Sequence, residues 1–122
     1  MSGTKLLADT NILIYFLEGN PQYEILADEV SAISVISEIE MLGHTGISTD
    51  QAKIIREFLD SFEIFELTPG IKEIAISLKQ RQRLKLPDAV IAATAIYHDL
   101  VLFTSDRDFK KIKGLNLMLV EN

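Results

Sequence analysis

A chain of 122 residues is long enough to bury one core, and nothing in it marks a second domain, so residues 1–122 read as a single unit. The absence of cysteine fits a reducing cytoplasm and removes thiolate nucleophiles and sulfur-ligated metals from the available chemistry. A net charge of −6 argues against loose electrostatic binding to nucleic acid, and no apolar run approaches the ~20 residues of a membrane span.

The first element is a buried strand, "KLLAD", followed by the helix "ILIYFLEG", and Thr10 or Asn11 is the expected cap between them. Asp9 is thereby left without an obvious structural task, an Asx-turn or cap being its structural alternative. "QYEILADEV" completes the first crossover and leads into the strand "AISV". The helix "ISEIEMLGH" has two possible starts. Ser37 to Glu40 spells a Ser-x-x-Glu capping box; if Ser34 caps instead, Glu40 lies more than a turn inside the helix. At ~100° per residue Glu38 and Glu40 then face different ways, so only one of them can join Asp9.

The helix "STDQAKIIREFLDSF" and the strand "EIFEL" follow, then the helix "PGIKEIAISLKQRQRL". "PDAVIAATAIYHD" opens with Pro87 in the first turn and Asp88 beside it, where the helix dipole favours a negative charge. This helix is apolar nearly all round and should be buried. After the strand "VLFT", Ser105 or Asp106 can cap "DRDFKKI", with Asp108 in its first turn, and "LNLMLV" is the last strand. His44 and His98 each stand near a helix end with no partner at metal-binding spacing, and read as surface residues that complement a helix dipole.

Strands alternating with helices indicate an α/β fold, a three-layer α/β/α sandwich around a central parallel five-stranded sheet. Ligands of such sheets collect at the carboxyl ends of strands. Asp9 and Asp106 stand at such ends, Glu38 and Glu40 follow soon after the second strand, and Asp88 opens a neighbouring helix. No dinucleotide fingerprint or P-loop is present. Two carboxylates ~4 Å apart repel by about 4 kcal/mol at an effective dielectric near 20, so converging acids call for a cation. With oxygen donors alone, Mg2+ or Mn2+ is the natural occupant, and phosphodiester hydrolysis is the chemistry that follows.

Charge is unevenly spread: residues 1–71 hold 3 basic and 12 acidic side chains, and residues 72–113 hold 9 and 5. Lys79, Arg81, Arg83 and Lys85, with Arg107, Lys110 and Lys111, form two cationic segments that either hold a polyanion backbone or are solvated helix faces.

The ordered motifs "LLADTNILIY", "SVISEIEMLG", "LKLPDAVIAATA" and "LFTSDRDF" resemble a PIN domain, closest to the VapC-type toxins of bacterial and archaeal toxin–antitoxin pairs, over residues 5–120. The resemblance implies a Mg2+- or Mn2+-dependent endoribonuclease with Asp9, Glu40, Asp88 and Asp106 as its acidic quartet. It selects Glu40 over Glu38, places Thr10 and Ser105 as small hydroxyls beside the acids, and makes Asn11 the residue that starts the first helix. Asp9, Glu40 and Asp88 would ligate the principal metal and Asp106 would complete the pocket, leaving a 5′-phosphate and a 3′-hydroxyl on the cut RNA. It also implies a cognate antitoxin whose segment covers the acidic pocket, and a second copy of the chain as a homodimer partner. Two other readings are a PIN-like binding or assembly module that no longer cuts, and a PIN nuclease of RNA processing outside a toxin pair. A haloacid-dehalogenase-like phosphatase or a response-regulator receiver would lack its nucleophile here.

Overall fold

The computed structural model describes residues 5–21 and 27–120. Five strands, β1 (Leu6–Ala8), β2 (Val30–Ser34), β3 (Glu63–Phe65), β4 (Val101–Thr104) and β5 (Leu117–Leu119), pair in the order β3-β2-β1-β4-β5, every neighbouring pair parallel. The expected three-layer α/β/α architecture is what forms. Helices α1 (Thr10–Leu17), α2 (Val35–Leu42) and α3 (Thr49–Leu59) precede β3, and α4 (Pro69–Arg81) and α5 (Leu86–Tyr97) follow it. Among the described residues no helix is long and apolar enough to cross a membrane.

Two cores, one on each face of the sheet, follow from the period-two alternation of the strands. Leu7, Ala32 and Leu102 pack under α4 and α5 with Ile71, Leu78 and Ile91. Leu6, Ala8, Ile33 and Phe103 face α1, α2 and α3 through Ile12, Leu13, Met41, Ile55 and Leu59. Each fully buried side chain of this size contributes about 1.5–3 kcal/mol of hydrophobic stabilisation. The β1–β2 register slips between Leu6, opposite Val30, and Leu7, opposite Ala32. That one-residue irregularity lets Val30 and Ile33 join the same core, which strict alternation forbids.

The apolar helix α5 buries seven consecutive residues, Ala89 to Ala95, because it is wedged between the sheet and α4. Its one buried polar side chain in that run, Thr94, returns its proton to the Val90 carbonyl at 2.7 Å. Helix ends follow the same physical logic. Ser48 and Gln51 close a capping box on α3, and Thr68 caps α4 just before Pro69. α1 ends on Gly19 and α5 on Asp99, both with left-handed φ (72° and 55°), and both ends carry the paired backbone bonds of a Schellman turn.

Boundaries differ from expectation in a few places. α1 starts at Thr10, two residues early, because Asp9 rather than Thr10 or Asn11 is its N-cap. α2 begins at Val35 under a Ser34 cap, so the Ser37–Glu40 capping box does not form. Of the helix expected from Gln22 to Val30, residues 22–26 lie outside the described residues, Ala27–Glu29 form a 3-10 turn, and Val30 already belongs to β2. The final helix is likewise a 3-10 turn, Arg107–Lys111, capped by Asp106.

The strand order reverses beside β1: the chain steps outward through β2 and β3, then returns to add β4 and β5 on the other side. The splayed chain ends at that reversal open a crevice at the carboxyl ends of β1 and β4.

Candidate functional site

Asp9 leaves β1 at this crevice and is almost fully buried, 6% exposed. Its backbone N–H continues the sheet by bonding the Phe103 carbonyl at 2.9 Å. Oδ1 accepts the Thr10 N–H and Oδ2 accepts the Thr104 hydroxyl, both at 2.8 Å. Thr104, the last residue of β4 and fully buried, also accepts the Asp106 N–H on the same oxygen at 3.0 Å. One hydroxyl thus ties two acids from opposite halves of the chain. Asp106 in turn accepts the Asp108 N–H at 2.9 Å, which starts the 3-10 turn.

On the other side, α2 presents Ser37 and Glu40 one turn apart, and therefore on one face, toward the start of α1. Thr10 donates its hydroxyl to Glu40 Oε1 at 2.6 Å, and Ser37 Oγ lies 2.8 Å from Thr10 Oγ1. The Ser34 cap produces this phase of the helix, and it brings Glu40 rather than Glu38 to Asp9's neighbour. Asp88, in the first turn of α5, is half-buried opposite.

Asp9, Glu40, Asp88 and Asp106 line one open cleft of about 620 Å³, with Thr10, Asn11 and Lys85. Ile14, Leu17, Met41 and Ile55 add apolar side chains to the same lining. Burial pushes the Asp9 carboxyl up to about 6, against the hydrogen bonds from Thr104 and the Thr10 N–H, and the charges of Asp88 and Asp106 push the same way. Asp88 is raised as well, first by burial and then by the charges of Asp106 and Glu40, with Lys85 opposing. The acids therefore feel one another across the cleft.

Among the described residues, no three of the His, Cys, Asp or Glu side chains close onto one point as a ready ligand set. The carboxylates stand around the cleft rather than at a common centre. Donor chemistry and charge nonetheless fit a hard divalent cation, since all the acids offer oxygen and two are held above their ordinary pKa by burial and mutual repulsion.

The seven expected backbone-binding cations are not equivalent. Lys85 lines the cleft. Lys79 donates to the Leu84 carbonyl and Lys111 to the Arg83 carbonyl, at 2.8 and 2.9 Å, and Gln82 reaches the Lys111 carbonyl, so these side chains staple the α4–α5 connection. Arg81 bonds back to Ser77, while Arg83, Arg107 and Lys110 are exposed.

Thr104 was not singled out by the sequence, and Ser37 only as the start of a capping box that does not form. The hydroxyl beside Asp9 belongs to Thr104 and not to Ser105, which is half-buried and outside the cleft lining. Thr104 looks like any β-branched strand residue until β4 is placed next to β1. His44 is exposed just past the end of α2, as expected, and also lines the cleft, while His98 departs from expectation by stacking on Phe65 with ring centroids 3.7 Å apart.

A family model described as the PIN domain matches residues 6–115. A chain of the toxin-antitoxin complex from Klebsiella pneumoniae is 35% identical with a TM-score of 0.82, the match covering 97% of this chain and 100% of that one. VapBC2 from Rickettsia felis, bound to a DNA fragment from its promoter, is similar at 25% identity and a TM-score of 0.76, over 93% of this chain and 96% of that one. VapBC-5 from Mycobacterium tuberculosis shares the fold at 22% identity and a TM-score of 0.69, over 97% and 100% of the two chains. No protein of curated function matches.

Proposed function

The chain belongs to the PIN-domain family and is of the VapC type, and from that premise we propose that it is a Mg2+- or Mn2+-dependent endoribonuclease, the toxin of a toxin–antitoxin pair. One observation carries the reading: Asp9, Glu40, Asp88 and Asp106, delivered by separate elements, line a single cleft at the point where strand order reverses.

Asp9, Glu40 and Asp88 would hold the cation, with Asp106 completing the pocket directly or through water. A Mg2+ ion keeps several waters, so carboxylates spaced around a cleft suit it better than they would suit a tight tetrahedral metal. When bound, such an ion lowers the pKa of a water and neutralises charge developing on a phosphate. The protein's own part is to orient. Thr104 holds Asp9 and the chain at Asp106 together, Thr10 holds Glu40, and Lys85 on the cleft wall receives a substrate phosphate as a point charge. Water attacks phosphorus in line and gives up a proton, the phosphorus–O3′ bond to the upstream ribose breaks, and that oxygen leaves as the 3′-hydroxyl after taking up a proton, with the phosphate kept on the 5′ oxygen of the downstream fragment.

An antitoxin partner fits the same cleft, its apolar part against Ile14, Leu17 and Ile55 and a basic side chain among the acids; a second copy of the chain is the other expected partner. The test is incubation of purified, antitoxin-free protein with a structured RNA pool in Mg2+, Mn2+ or EDTA, beside Asp9→Asn and Asp88→Asn. Discrete cuts that require metal and both aspartates are the expected result. A folded protein that makes no cuts is instead a PIN-like binding module.

A further inference from the structure

We infer, on the reading of the site proposed above, that Ser37 is a positioning residue that orients the Glu40 carboxylate through the hydroxyl of Thr10. Glu40 is exposed, so no packing fixes its rotamer, and a mobile glutamate makes a poor cation ligand. Ser37, one turn earlier on α2, is completely buried. Between them stands Thr10 at the first position of α1, 2.8 Å from Ser37 Oγ and 2.6 Å from Glu40 Oε1.

The direction of this relay follows from counting protons. Each hydroxyl owns one, and an ionised carboxylate only accepts. The proton of Thr10 is committed to Glu40, so the proton between Ser37 and Thr10 belongs to Ser37. Ser37 donates to Thr10 and Thr10 donates to Glu40. The length of the second contact is that of a charge-assisted bond, and the donation from Ser37 polarises Thr10 toward it. A buried helical serine more often gives its proton to the carbonyl one turn back; here it bonds across to a neighbouring helix, which anchors an exposed ligand at a buried point.

The test uses the metal-free chain first. Three-bond couplings of Glu40 report whether its χ1 is fixed. One rotamer is expected in the wild type and in Thr10→Ser, which keeps the relay, and rotamer averaging in Ser37→Ala and Thr10→Val, which break it, with thermal melts confirming that each variant folds. Couplings unchanged in Ser37→Ala overturn the inference, whether or not the protein binds metal. In a Mn2+ titration, Ser37→Ala is expected to weaken binding about tenfold, and to add no further loss once Glu40→Gln is present. An undiminished loss in the Glu40→Gln background overturns the route through Glu40. A wild type that binds no Mn2+ removes the metal reading of the cleft, while the couplings still decide the role of Ser37.

Discussion

Asp9 caps α1 and at the same time places a carboxylate in a buried, acidic corner. Its pKa of about 6 in the folded chain, against 3.8 for the free side chain, sets the sign of a pH dependence. The folded state binds the extra proton, so this group favours folding most below the lower value, and that contribution is lost as pH rises through about 6. Above that, the ionised form costs about 3 kcal/mol. Asp9→Asn keeps the size and the capping oxygen without the charge. In EDTA it is predicted to raise unfolding stability by about 1–3 kcal/mol near pH 8 and to change it little near pH 4; urea midpoints at the two pH values check this, and a lower midpoint at the alkaline one would contradict it. The sequence offers Asp9 as an acid at a strand end with a cap as its other use, and only the family resemblance chooses Glu40 over Glu38; in the structure Asp9 both caps α1 and lines the cleft with Glu40. The contacts of Thr104 and Ser37 were not legible, because a hydroxyl shows its use only through its partner, and the partner of Thr104 is 95 positions away.

Element boundaries obey the caps more than the hydrophobic pattern. The helical segment read from sequence runs to Asp99, yet the helix ends at Tyr97 and Asp99 turns left-handed with φ 55°. A β-carbon is disfavoured in that conformation, and a negative charge just past a helix C-terminus opposes the dipole. Asp99→Gly is therefore predicted to stabilise the fold by about 1 kcal/mol, read as a higher denaturant midpoint with an unchanged slope. The equivalent turn after α1 already uses Gly19, and Gly19→Ala should move the midpoint the other way. The strands were found in the right places, but β1, β3 and β5 are shorter than their apolar runs, and β2 begins earlier, at Val30, and ends a residue before Val35: Asp9 and Ser34 are helix N-caps, and Ser34 also closes β2.

At the scale of the molecule, alternation of strands and helices was enough to specify a covered parallel sheet, but not which strands adjoin. That order decides the site, because only the β1–β4 neighbourhood brings Asp9 to Thr104. The cleft so formed concentrates negative charge, and a ligand that relieves it should stabilise the fold by mass action, about 2.7 kcal/mol at a hundredfold excess over its dissociation constant. Saturating Mn2+ is accordingly predicted to raise the melting temperature of the wild type near pH 7.5, less so near pH 5 where Asp9 is protonated, and not to raise that of Asp9→Asn combined with Asp88→Asn. A rise that survives the double substitution would place the ion elsewhere.

The threonine bridge between β1 and β4 has a consequence in time as well as in space. A chain emerging from the ribosome as far as α5 carries Asp9, Glu40 and Asp88, yet it lacks the strand that seats Asp9 and the loop that supplies Asp106. Pairing across so long a separation is slow relative to local helix formation. On the proposed function, a chain built this way stays without its complete acidic cleft throughout most of its own synthesis, and the interval before β4 docks is when a partner would meet it before the site is assembled.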